Sequence, residues 1–182
     1  VIVQVSENVA AAGWLSTSGT APADLIAVGP IGFQAYARLQ YADSTLPDSD
    51  EPVTDIALVR GAATILREFT TTPDDCYFCV WDGYAGSFLD AELARETKHV
   101  RLPDREYVLF IGPLATLSAW EQLFGRGEAA PAPAFMWPRD RSWCFTSDVD
   151  TDWAGIGSTA VAIEELVTRN AHVDRLPGPG SA

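Results

Sequence analysis

The chain has 182 residues and a formal net charge of −13, with 12 Lys plus Arg against 25 Asp plus Glu. Phosphate recognition needs clustered cations, so this balance argues against DNA, RNA and anionic membranes and favours a basic protein or a cationic ligand. A hydrophobic share of 47% and a charged share of 20% belong to a globular chain with an ordinary core rather than to a disordered one.

In chain order, residues 1–23 mix apolar and small side chains around Trp14, and Gly19-Thr20-Ala21-Pro22 reads as a turn. Residues 24–28 read as a short strand and Gly29-Pro30-Ile31-Gly32 as a turn. Residues 33–41 alternate well enough for a second strand, with a helix as the alternative. Residues 42–52 are a polar, acidic loop with two prolines. Residues 54–69 carry Ile56, Val59, Ala63 and Leu66 at helical spacing, with Thr54 or Asp55 as the cap and Pro73 beyond the end. Residues 76–81 (CYFCVW) form a near-continuous apolar run, the mark of a central strand covered on both faces. A weaker helix is expected over 88–97. In the strand expected over 105–111, Tyr107, Leu109 and Ile111 share one face and Val108 and Phe110 the other. Gly112-Pro113 opens a helix to Phe124, with Pro113 near its first position. Residues 128–138 read as an Ala/Pro-rich loop, 142–149 as a last strand and 158–170 as a last helix capped by Ser158. Residues 175–182 are expected to be a frayed tail. The expected fold is a single α+β domain over 1–182, a mostly antiparallel sheet packed by two or three helices. A parallel α/β sheet is the alternative.

No apolar run approaches the roughly 20 residues of a membrane span. The segment Val1-Ile2-Val3-Gln4-Val5 has neither a basic n-region nor a long apolar h-region, so no signal peptide is expected. Three cysteines, an odd and sparse count, suit a reducing compartment, and the expected location is the cytoplasm.

The chemistry-bearing motifs are weak. Asp148, Asp150 and Asp152 match the first ligands of a calcium loop, but Trp153 stands where glycine is needed and Thr159 where the bidentate glutamate is needed, so no metal is expected. Gly155-Ile156-Gly157-Ser158-Thr159-Ala160 spells G-x-G-x-x-A, yet the acids before it would repel a pyrophosphate; a tight glycine entry to the last helix is the plainer reading. Cys76 and Cys79 have redox spacing, but residues three apart on a strand point to opposite faces. No nucleophile-elbow, zincin or P-loop signature is present, and no catalytic residue or cofactor is nominated.

Several segments taken together, GFQAYAR (32–38), TPDDCYFCVWDGY (72–84), REYVLFIGPL (105–114) and the tract Trp137-Pro138 through Asp140-Arg141-Ser142-Trp143-Cys144 to Asp148-Val149-Asp150, resemble a group of uncharacterised proteins from GC-rich actinobacteria. The resemblance spans about 24–170. It implies a single intracellular bacterial domain and lends no catalytic residues. The chain departs from the group's pattern after Asp150, where Trp153-Ala154-Gly155-Ile156-Gly157 stands in place of a Tyr or Phe near the second glycine.

The leading expectation is a non-enzymatic acidic binding domain, an immunity protein or antitoxin that occludes a basic partner's active site. Trp81, Tyr84, Trp137 and Trp153 are its candidate anchors; Asp82, Asp148, Asp150 and Asp152 supply steering and rim contacts. The alternative is a small-molecule enzyme or sensor. Its cleft would be floored by Trp81, Tyr107 and Trp143, with Arg105, Glu106, Asp148 and Arg141 as polar groups.

Overall fold

The computed structural model describes residues 3–41, 53–103, 105–125 and 130–180. Among these, nine strands are present: β1 (Gln4–Val5), β2 (Ala35–Gln40), β3 (Cys76–Trp81), β4 (His99–Leu102), β5 (Arg105–Gly112), β6 (Phe135–Pro138), β7 (Cys144–Ser147), β8 (Trp153–Ser158) and β9 (Val173–Leu176). The helices are α1 (Gly13–Ser16), α2 (Pro22–Ala27), α3 (Asp55–Leu66), α4 (Ala91–Glu96), α5 (Trp120–Phe124) and α6 (Ala160–Arg169). The strands join one sheet in the order β1-β5-β3-β6-β7-β8-β2-β9, with β4 beside β1 along the outer edge of β5. Every pairing between these strands is antiparallel, so the fold is α+β.

The sheet is covered on both faces, and β3 shows why its sequence is apolar throughout. Cys76, Phe78 and Val80 enter the larger core, with Met136, Phe145 and Ile156 from neighbouring strands and the apolar sides of α3 and α6. Cys79, between them in sequence, enters the second core with Tyr107, Leu109, Phe135 and Trp137, closed by Leu15 of α1 and Leu25 of α2. Thr54 caps α3 by accepting from the Ala57 amide, and seven of its twelve residues are buried. The two thiols Cys76 and Cys79 accordingly lie on opposite faces, and burial raises both above the ordinary thiol value.

Several expectations are corrected. Residues 24–28 belong largely to a helix, not a strand. Pro22 stands in the first turn of α2 with Asp24, and the Val28 and Gly29 amides both close on the Asp24 carbonyl at 2.7 and 3.0 Å, with Gly29 at φ 106°. Five apolar-rich residues carry no period that separates the two states; the flanking Pro and Gly decide it. Residues 135–138, read as loop, are β6, a fully buried strand whose Pro138 ends it. β8 occupies the expected glycine entry to the last helix. Thr159, not Ser158, caps α6 by accepting from the Ala162 amide. Residues 114–119 wind as a 3-10 turn before the short α5, with Pro113 as the cap rather than a helical residue. Arg175 and Leu176, placed in the tail, pair with β2 as part of β9. The expected loop over 42–52 lies outside the described residues.

Candidate functional site

One end of the sheet gathers the ends of six elements. β3 finishes there at Trp81, β7 at Ser147 and β2 at Gln40; β5, β6 and β8 start there. The first residue of α3, Asp55, and a 3-10 turn over Asp82–Tyr84 complete the ring. Antiparallel alternation puts these ends together, which explains why residues distant in sequence meet.

Arg105 organises this end. Its guanidinium donates to Asp148 and Asp150, both at 3.0 Å, and lies over the Trp81 ring at 5.0 Å from the centroid. Asp148 is almost fully enclosed, with 7% of its side chain exposed against 82% for Asp150. Burial disfavours the charged guanidinium, but the two carboxylates outweigh it and raise the Arg105 pKa. Asp148 also accepts from the Asp150 amide at 2.9 Å, folding the loop back on itself. From the other side, Gln40 Nε2 and the Tyr41 amide both donate to the Asp152 carbonyl at 2.9 Å. The β7–β8 loop is thus held from the start of β5 on one side and from the end of β2 on the other, and Val149 stands exposed at its tip.

Beside this loop lies a cleft of about 140 Å³, lined by Tyr41, Asp55, Trp81, Tyr84, Ala132, Ala134, Ser147, Asp148 and Thr151 among others. The Tyr41 and Ser147 hydroxyls share a hydrogen bond of 2.6 Å. Trp81 and Tyr84 meet edge to face at 5.2 Å and 78°. Trp81 lies so close over Gly83 that a Cβ there would come within 2.4 Å of the ring. Burial raises the pKa of Tyr41, Tyr84 and Asp55.

The structure brings together Trp81, Asp82, Tyr84, Asp148 and Asp150 from the expected binding residues, and Arg105 from the expected alternative cleft. Trp153 pairs with Gln40 in the sheet and is half-buried; the Asp152 side chain is exposed, and its carbonyl does the fastening. Trp137 is corrected: it is fully buried, stacked on Tyr77 at 5.4 Å and met edgewise by Trp14 at 5.8 Å, so it offers no surface. The alternative cleft does not assemble. Tyr107 and Trp143 are both fully enclosed and belong to cores on opposite faces of the sheet. Glu106 is committed to Arg101 at 3.0 Å and faces His99 at 3.5 Å on the β4–β5 hairpin. Arg141 adopts φ 54° and covers Trp14 at 5.3 Å. Sequence reasoning missed Tyr41, Asp55 and Ser147, which no spacing connects to Trp81.

Among the described residues, no group of three His, Cys, Asp or Glu side chains converges as a metal site, and no helix is long and apolar enough to cross a membrane. No protein-family model matches the chain, and no curated protein or solved structure shows significant similarity to it.

Proposed function

We propose that this end of the sheet is a recognition surface for a protein with a basic face, and that the domain acts by occluding that partner, as an immunity protein or antitoxin does. The observation that carries the reading is the Arg105 knot. It fixes the β7–β8 loop before any partner arrives, and it does so next to the half-exposed aromatics Trp81 and Tyr84. A surface ordered in advance loses less freedom on association. Aromatic anchors ringed by acids match what a basic partner needs, and a charge of −13 speeds the encounter.

The test is affinity capture from the native cell lysate at low and high salt, read by mass spectrometry and repeated with variants. The expected result is one stoichiometric protein that weakens at high salt. Trp81→Ala and Tyr84→Ala each cost about 2 kcal/mol or more of affinity, and Asp150→Asn well under that. A blank with folded bait in excess, or capture indifferent to both aromatic variants, rejects the reading. A small-molecule reading is favoured by one observation, the enclosed hydroxyl pair of Tyr41 and Ser147 in the cleft. A metabolite that raises the melting temperature through ligand linkage would select it.

A further inference from the structure

The cleft beside the Arg105 knot has a charge balance of its own. Asp55 and Asp148 both line it. Arg105 is divided between Asp148 and Asp150 and has its guanidinium over Trp81. Among the described residues, no ion pair or side-chain hydrogen bond reaches the Asp55 carboxylate, and burial is what raises its pKa. Asp55 is exposed at the rim of the cleft, and a carboxylate there without a cation gains a charge-assisted hydrogen bond from one brought in from outside. The hydroxyl pair adds acceptors. Tyr41 is 8% exposed, and among the described residues its hydroxyl meets Ser147 alone; one hydrogen serves that bond, so lone pairs remain on both oxygens of residues that line the cleft. Tyr84, Ala132 and Ala134 supply apolar contact for a hydrocarbon stem.

Size narrows the guest. A volume of about 140 Å³ falls short of the roughly 300–1,000 Å³ that encloses a drug-sized ligand. It suits the end of one side chain. A guanidinium is planar and prefers a bidentate carboxylate or a free ring face, and Arg105 already occupies one Asp148 oxygen and the Trp81 ring. The remaining donor demand, one carboxylate and two hydroxyl oxygens spread around a pocket, matches the three tetrahedral donors of an ammonium.

We infer that the cleft receives the ammonium end of a lysine side chain from the basic partner, with Asp55 as its counter-ion and the Tyr41–Ser147 hydroxyl pair as its neutral acceptors. This rests on the protein-binding reading and gives it a specific contact.

The test is a titration of the ¹⁵N-labelled chain with Nα-acetyl-lysine methylamide, and separately with the norleucine analogue, which keeps the stem and lacks the charge. Saturable amide shifts at Tyr41, Tyr84, Ala132 and Ser147 with the lysine compound, and none with norleucine, support the inference. Asp55→Asn weakens that binding about tenfold, the worth of one charge-assisted hydrogen bond. Ser147→Ala, which leaves the Thr54 cap of α3 untouched, weakens it less. No saturable shift, equal response to norleucine, or indifference to both variants overturns it. Lysate capture separates the two failures. A captured partner that depends on Trp81 and Tyr84 but not on Asp55 sinks the lysine contact alone. A lysine compound that binds through Asp55 while capture stays blank supports the ammonium site and sinks its protein partner.

Discussion

Arg105 and Asp148 form the most enclosed of the ion pairs that fasten the β7–β8 loop. Asp148 is nearly enclosed and Arg105 is 18% exposed at its side chain, so removing one partner leaves a charge that water reaches poorly. Arg105→Ala is therefore expected to cost about 3 kcal/mol in urea unfolding, the range of a buried pair broken on one side. Asp148→Asn costs less, because the amide keeps a hydrogen-bonding oxygen, and the double variant costs less than the sum of the two. Strict additivity, within about 0.5 kcal/mol, would mean that the two side chains do not act together. Asp140 is the second residue with a consequence of its own. Burial works against its ionisation, but the Thr71 and Ser142 amides and the Thr70 and Thr71 hydroxyls more than offset this and hold its pKa at about 2. A carboxyl that is more acidic folded than unfolded stabilises the native state fully above the unfolded value of about 3.9 and loses that contribution as pH falls toward its folded value. The urea midpoint should thus drop between about pH 4 and pH 2, and Asp140→Asn should flatten that drop. Equal slopes in the two proteins would remove Asp140 from the acid response.

At the scale of elements, the glycines of β8 separate what sequence can tell from what it cannot. Gly155 faces the carbonyls of Ala27 and Val28, and a Cβ there would approach them to 2.6 and 2.5 Å. Those are backbone atoms of α2 and its end, which cannot turn aside as a side chain does. Gly155→Ala is expected to destabilise by about 3 kcal/mol, the upper part of the overpacking range. Gly13→Ala, at helical φ −57° with nothing within 4 Å of its Cβ, should be neutral or stabilise by up to about 1 kcal/mol. Thermal or urea unfolding of the two variants checks both; a tolerated Gly155→Ala would mean that α2 rides loosely on the sheet. The same contact explains the misreadings. Gly155 and Gly157 lower strand preference in isolation, yet they are there because α2 and the Phe33 ring need the room. α3, β3 and β5 were legible because each has its own period or apolar run. Residues 24–28 and β6 are short, and their state is set by what they pack against. The site divides likewise. Trp81, Asp82 and Tyr84 adjoin one another at a strand end, so they announce themselves. Tyr41 and Ser147 come together only through the pairing of β2 with β8 and β8 with β7, and Asp55 joins them at the start of α3, which packs against β2; no local pattern encodes either.

For the whole molecule, the long antiparallel sheet ends in an edge strand, the kind of surface that recruits a second copy unless something guards it. β9 forms one outer edge, held to β2 through the Arg38↔Asp174 and Ala37↔Arg175 positions. Its own sequence is Val173-Asp174-Arg175-Leu176, with Asp174 and Arg175 exposed. If two copies joined β9 to β9 in one continuous sheet, a two-fold axis perpendicular to the sheet would relate them. That axis keeps each residue on its face, and residues directly opposite must share a face, so only residues of the same parity can pair. The well-overlapped registers then centre on residue 174 or 175, and set Asp174 against Asp174 or Arg175 against Arg175. Like charges directly opposite are unfavourable by about 0.2–1 kcal/mol per pair before the cost of association. The order Asp-Arg therefore looks complementary in the linear sequence and is repulsive in the geometry of the sheet. Replacing both with threonine, a good strand former, removes the repulsion and the ion pairs to Arg38 and Glu164 together. Sedimentation velocity across a concentration series is expected to show the Asp174→Thr/Arg175→Thr variant associating more strongly than the wild type. Replacing Asp174 alone should leave the register centred on Arg175 blocked and free the one centred on 174, giving an intermediate shift. If all three proteins sediment alike, the charges do not guard this edge.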